Sequence, residues 1–284
     1  MSEPVAPAPG ARPPGLPPVA PLPGPPAVAP EPGRGALIGS FALDLLVAVA
    51  TLIVASVATS IIWGAWSGVQ AAAGGQTDPE AIARAIGEPG VMAQMLMVII
   101  GMSAAALVLY FVRQPASASE RAQSYAALRQ RSTLVWAALV GVAVFLGSTA
   151  LSWLMRQTGM ESAPSNEAMI LEAARRWPLF LVLFAVVLAP MYEELLFRRV
   201  LFGRFLRGGR PWLGLVLSSL AFALLHEVPG LSDNSAGAVL MLLAVYAGMG
   251  AAFAWLYWRT GTLWAPILAH GLNNGLALAV LAFS

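Results

Sequence analysis

Residues 36–63 read ALIGSFALDLLVAVATLIVASVATSIIW, and this stretch decides the fold. It holds a single charged residue, Asp44. An α-helix rises about 1.5 Å per residue, so about 20 apolar residues cross a hydrocarbon layer about 30 Å thick. Six further apolar runs follow, at 91–112, 134–155, 177–197, 212–226, 237–258 and 263–283. The fifth is short for a span and is expected to extend beyond both ends. The expected fold is therefore all-α, a multi-pass transmembrane helix bundle of about seven spans. Composition agrees. Only 11% of the 284 residues are charged, against about 25% in soluble domains, and so few charges cannot coat a water-facing surface. The bilayer is the expected solvent. A net charge of +2 argues against a nucleic-acid partner, which needs a basic face. Without cysteine there is no disulfide framework, thiolate zinc site or cysteine nucleophile. All 16 basic residues are arginine. The absence of lysine beside abundant Ala, Arg, Gly and Pro points to GC-rich, bacterial coding.

Residues 1–34 carry 13 of the 22 prolines. Proline fixes φ and removes a backbone donor, so this segment reads as a disordered, Pro-rich cytoplasmic tail. Pro14 to Pro17 also fits a PxxP ligand. Residues 35–160 hold the N-terminal transmembrane helices, and residues 161–284 hold a second helical half. Trp63, Trp136, Trp153, Trp177, Trp212, Trp258 and Trp264 fall at or near run ends, as headgroup belts require. Asp78-Pro79-Glu80 predicts a short surface helix over 79–86, with an N-cap, a proline at its first position and an acid in its first turn. With the N-terminus inside, 12 of the 16 arginines fall on the inner side. That asymmetry predicts a cell (inner) membrane protein with a cytoplasmic N-terminus.

Ionisable groups within apolar runs are costly and mark function. They are Asp44, Glu193, Glu194, His226 and His270. Glu194 and Arg198 are i,i+4 neighbours and can pair. Glu193 lies about 100° round the helix, outside that Arg's direct reach. Desolvation and a like charge next door suit it to general-base work. The plain alternative is a charged helix end facing headgroup water. Phe222 and His226 share a face, which packs the ring beside the imidazole, and the plain alternative is a hydrogen-bonded structural histidine. His270 and Asn274 again stand i,i+4 and can aim two donors at one point, as an oxyanion needs, or act as polar glue between helices. Asp44 reads as a bundle-facing polar residue.

These three motifs, Glu193-Glu194-x-x-x-Arg198, Phe222-x-x-x-His226 and His270-x-x-x-Asn274, resemble in type and order those of the CPBP family. That family comprises intramembrane CAAX-processing proteases and bacteriocin-processing or immunity proteins, also called Abi. The stretch from Arg259 to His270 is also similar to the family's approach to its last histidine, and the likeness covers roughly 177–282. The resemblance implies that 161–284 forms a catalytic transmembrane core and that the chain is an intramembrane endopeptidase acting on a protein or peptide substrate. By the same carry-over, Glu193 and His226 activate a water, Glu194 and Arg198 support Glu193, and His270 with Asn274 stabilises the oxyanion. No cofactor is expected. Glu193, His226 and His270 are also a donor set that zinc accepts, so they would be the ligands of a metalloprotease.

Rival chemistries lack their motifs. His226-Glu227 begins like His-Glu-x-x-His, but the second histidine is missing. No Gly-x-Ser-Gly supplies a serine nucleophile, and Asp44 is the only aspartate within a run. Two other classes remain in view: a non-catalytic partner or immunity protein on the same scaffold, and a proton-coupled transporter, which would call for inverted repeats. His226 sits about twice as far into its helix from the inner loop as His270. For the two to meet, the fourth and fifth helices must protrude inward, which opens the site towards the cytoplasm.

Overall fold

The computed structural model describes residues 32–157, 159 and 163–283, so residues 1–31 of the Pro-rich tail read over 1–34 lie outside the described residues. The described residues form helices joined by short loops. In chain order the helices are α1 (Arg34–Ala73), α2 (Pro79–Ile86), α3 (Val91–Arg113), α4 (Ala118–Leu128), α5 (Arg131–Gln157) and α6 (Glu167–Arg176). There follow α7 (Pro178–Arg207), α8 (Pro211–His226), α9 (Ala236–Thr260) and α10 (Trp264–Phe283). Six of them (α1, α3, α5, α7, α9 and α10) are long and apolar enough to cross a membrane. The fold is a multi-pass helical bundle, as expected.

Several boundaries differ from the sequence reading. Helix α1 runs 40 residues to Ala73, well past the apolar run, because 64–73 contains no proline and keeps helix-compatible Ala, Ser and Gln. Helix α8 ends at His226 instead of extending, so it has 16 residues and is about 24 Å long. Pro229-Gly230 lies just beyond and stops it. Helices α4 and α6 are additional short polar helices. The first is closed by a capping box between Ser117 and Glu120. The expected surface helix is α2, capped by the Asp78 side chain accepting from the Ala81 N–H.

Helix α7 is the axis of the core. Phe197, Val200, Leu201, Phe202 and Phe205 are essentially inaccessible, in the part of α7 that packs against α3, α8 and α9. Around it α1 packs on α3, α8 on α9 and α5 on α10. The outward side of α1, including Leu46, Val54 and Ile61, stays exposed, as a lipid-facing surface does.

Asp44 faces inward and is fully buried. It accepts from Arg113 of α3 at 2.8 Å and from Arg204 of α7. A buried carboxylate is tolerable only when its charge is matched, so this triad joins α1 to two core helices. Helix α4 is fastened similarly. Arg199 donates twice to Glu120, at 2.9 and 3.1 Å, and Ser124 bonds Thr262 at 2.8 Å. Hydrogen bonds from Arg199 and from the Ser117 N–H pull the Glu120 carboxyl from near 4.5 down to about 2. A depressed carboxyl stabilises above its unfolded value and loses that contribution as pH falls towards its folded value. Thermal stability in detergent is therefore expected to decline between about pH 4.5 and pH 2, by less in Glu120→Gln. The effect is modest, because Glu120 is partly exposed.

Close helix contacts depend on glycine. A Cβ on Gly141 of α5 would lie 2.7 Å from the Ala269 carbonyl oxygen of α10, whereas one on Gly147 meets nothing within 4 Å. Gly141→Ala is expected to cost about 1–3 kcal/mol by overpacking, measured by unfolding in detergent. Gly147→Ala, on the same helix, should be neutral or slightly stabilising.

Candidate active site

Glu193 and Glu194 occupy one α-helical turn of α7, Ala189–Glu194, between two π-helical segments, Leu183–Leu188 and Leu195–Phe202. Pro190 supplies a local cause. It has no N–H to return to the Val186 carbonyl, so the α-helical ladder breaks there, and π segments of this kind recur at functional sites. Helix α10 approaches at the same place. A Cβ on Gly271 would stand 2.5 Å from the Val186 carbonyl oxygen, so only glycine lets the two backbones come this close. His270 precedes that glycine and is thereby set against α7.

The two glutamates have different surroundings. Glu194 is fully buried and forms an ion pair with Arg198, with Nε and a carboxylate oxygen 2.9 Å apart. Nothing is aligned along that contact as a hydrogen bond, so the attraction is Coulombic. The other Glu194 oxygen accepts from His270 Nδ1 at 2.9 Å. Arg198 lies over the Phe222 ring, 4.7 Å from its centroid, a cation–π contact that partly compensates its burial. Glu193 instead points between the two histidines. Its Oε2 stands 3.7 Å from His226 Nε2 and 3.9 Å from His270 Nε2. That oxygen is buried and has no hydrogen-bond partner. The gaps are too long for direct hydrogen bonds and suit a single bridging oxygen.

The far nitrogens decide which protons are available. His226 Nδ1 lies 2.9 Å from the Phe222 carbonyl. A carbonyl only accepts, so Nδ1 carries the hydrogen and neutral Nε2 presents a lone pair towards Glu193. His270 donates from Nδ1 to Glu194, so its Nε2 carries a hydrogen only when the ring is an imidazolium, with Glu194 as counter-charge. Both rings are held by aromatic packing. His226 lies against Phe222, with centroids 4.3 Å apart, and against Tyr246 at 4.6 Å, while His270 stacks on Phe253 at 4.9 Å.

Six of the seven site residues named from sequence thus converge: Glu193, Glu194, Arg198, Phe222, His226 and His270. Asn274 sits differently. Its amide donates to the Ala185 carbonyl of the first π segment at 2.8 Å, and its oxygen accepts from Asn273. Glu194 also has a second partner that sequence did not indicate, His270, and so joins it to Arg198. Tyr246 and Phe253 were not read from sequence; no spacing singles out two rings among so many. Glu227 was read only as half of a failed motif. It is fully buried, accepts from Ser232 at 2.5 Å and from Asn234 at 3.3 Å, and so folds the loop after α8 back beside His226. The two imidazoles and Glu193 are donors that zinc uses, but among the described residues no group of three or more His, Cys, Asp or Glu is arranged to hold a metal ion.

Residues 175–276 match the model of a family described as type II CAAX prenyl endopeptidase Rce1-like. That stretch contains all three motifs, and over it the resemblance read from sequence holds. The chain is 31% identical over 116 residues to YdiL of Bacillus subtilis (strain 168), whose name places it among membrane peptidases, covering 41% of this chain and 43% of that one. It is 31% identical over 151 residues to the membrane-embedded CAAX protease MroQ of Staphylococcus aureus (strain USA300), covering 50% of this chain and 56% of that one. The chain therefore spans about half the length of each of these relatives. No solved structure matches it.

Proposed function

We propose that the chain is an intramembrane endopeptidase in which Glu193 activates a water against a peptide carbonyl. One observation carries the reading: a buried carboxylate oxygen without a hydrogen-bond partner faces the Nε2 atoms of two histidines. In this scheme the water donates one hydrogen to Glu193 Oε2 and the other to His226 Nε2. Glu193 takes a proton as the water oxygen bonds to the carbonyl carbon. The tetrahedral oxyanion receives the Nε2–H of the His270 imidazolium, with the second amide hydrogen of Asn274 completing its site. The C–N bond then breaks, and the proton on Glu193 passes to the leaving nitrogen. Arg198 and Glu194 act on His270, holding its ring and balancing its charge. Phe222 closes the site on the helix side and positions His226 through its own carbonyl.

The substrate is a protein or peptide that reaches the site through the bilayer. The family description and the name of the Staphylococcus aureus relative make a C-terminal CAAX-like peptide the first sequence to try. In this reading the chain sits in the cell (inner) membrane with its N-terminus and the mouth of the site on the cytoplasmic side, supported by the arginine asymmetry.

The purified full chain is tested against a peptide library by mass spectrometry. The expected result is two products whose masses sum to the substrate plus one water, at a rate unchanged by a zinc chelator. Loss of cleavage on chelation, with recovery on adding zinc, would replace this scheme by the metal one, with Glu193, His226 and His270 as ligands.

A further inference from the structure

A cavity of about 400 Å³ lies beneath α4 at the end of the bundle where α3, α7, α9 and α10 meet the loops. Neither Glu193 nor either histidine lines it. Part of its lining is basic. Arg199 lies there with its side chain 11% exposed. It donates to Glu120 and to the Pro115 carbonyl, but its Nε has no partner. Arg121 is exposed at the rim. Just behind stand Arg207, near enough to feel Arg199 and Arg204 electrostatically, and the Asp44 triad with Arg113 and Arg204. Five guanidinium groups thus share this end of the bundle with two carboxylates, Glu120 and Asp44, and among the described residues no carboxylate pairs with Arg121 or Arg207.

The walls change character away from the arginines. Tyr125 and Trp264 pair at 6.0 Å across the rim, and amphipathic rings of this kind sit at headgroup level. Leu195, Leu263 and Ile267 make an apolar floor. From Leu195 an exposed apolar stripe continues up α7 at every fourth residue through Met191, Val187 and Leu183. From 183 to 195 it is about 18 Å long, close to one leaflet's share of a hydrocarbon layer about 30 Å thick.

We propose that this cavity seats an anionic phospholipid, with its phosphate headgroup on Arg121 and Arg199 and one acyl chain along the Leu195–Met191–Val187–Leu183 stripe. Basic pockets between transmembrane helices bind acidic headgroups in this way. The stripe favours a lipid over a peptide carboxylate, which would need the cation but no apolar track of leaflet length. The site is separate from the peptidase reading and stands or falls without it.

The test uses the purified full chain in neutral detergent, with phosphatidylglycerol or phosphatidylcholine brominated in the acyl chain as quencher. The Trp264 signal is isolated by subtracting the Trp264→Phe protein. Phosphatidylglycerol is expected to quench Trp264 at a concentration at least about fivefold below phosphatidylcholine. Arg121→Gln, an exposed site that should not disturb folding, should remove about fivefold of that preference, one guanidinium's share of the attraction to an anionic surface. High salt should weaken it further. Equal quenching by the two lipids, or an unchanged preference in Arg121→Gln, overturns the proposal. So does full competition by inorganic phosphate, which would make this a free-anion site. If the lipids quench alike while a peptide with a free C-terminal carboxylate shifts Trp264 emission and its amide does not, the cavity holds peptide and the lipid assignment falls.

Discussion

Arg198→Met is expected to destabilise the folded chain by about 3–5 kcal/mol, the range for stripping one partner from a buried ion pair. The side chains of Arg198 and Glu194 are 1% and 0% exposed, so the remaining carboxylate would keep its charge with no water to solvate it. His270 would still donate to Glu194, so one of the carboxylate's two partners would remain. Glu194→Gln alone should cost a similar amount, by leaving Arg198 uncompensated over the Phe222 ring. The double variant Glu194→Gln, Arg198→Met removes both charges and should recover most of the loss, because a buried pair adds little over apolar packing once neither charge remains. Unfolding of the four proteins in detergent gives the coupling directly. A single-variant cost below about 1 kcal/mol, in the range of solvent-exposed pairs, would mean that the pair does not anchor α7.

Activity should respond to different residues. His226→Ala is expected to lower kcat by about 10²–10⁴, the usual contribution of a positioned acid or base. Glu193→Gln should fall in the same range. The double variant should lose little more than either single one, because groups that act on one water act as a unit. Stability should barely move in Glu193→Gln, since the oxygen facing the histidines makes no hydrogen bond within the fold. These expectations separate the neighbouring glutamates into one that the proposed reaction needs and one that the fold needs. Additive losses in the double variant would indicate that Glu193 and His226 serve different steps.

Much of this arrangement was legible in the sequence, for identifiable reasons. Apolar runs far longer than a soluble helix needs gave the spans, and the rarity of charge made the buried glutamates and histidines visible. The i,i+4 spacing placed Arg198 on Glu194 and Phe222 against His226, because both relations lie within one helix. Relations between helices were not legible. That Glu194 reaches His270 depends on how α10 is rotated and how deeply Gly271 lets it approach Val186. Asn274 is directed to Ala185 by a π segment, which one proline hints at but does not define. The extent of α1 and the early end of α8 were misjudged because hydropathy marks where lipid would be, and helices stop where caps and prolines stop them.

In the proposed scheme the Glu193 carboxylate is the base that makes the water a nucleophile. The most direct measurement is the rate of cleavage of one identified peptide by wild-type protein and by Glu193→Gln, with chelator present and folded fractions matched. A loss of at least about a hundredfold in kcat, with an unfolding midpoint equal to wild type, is the predicted result. Cleavage by Glu193→Gln at the wild-type rate would contradict it.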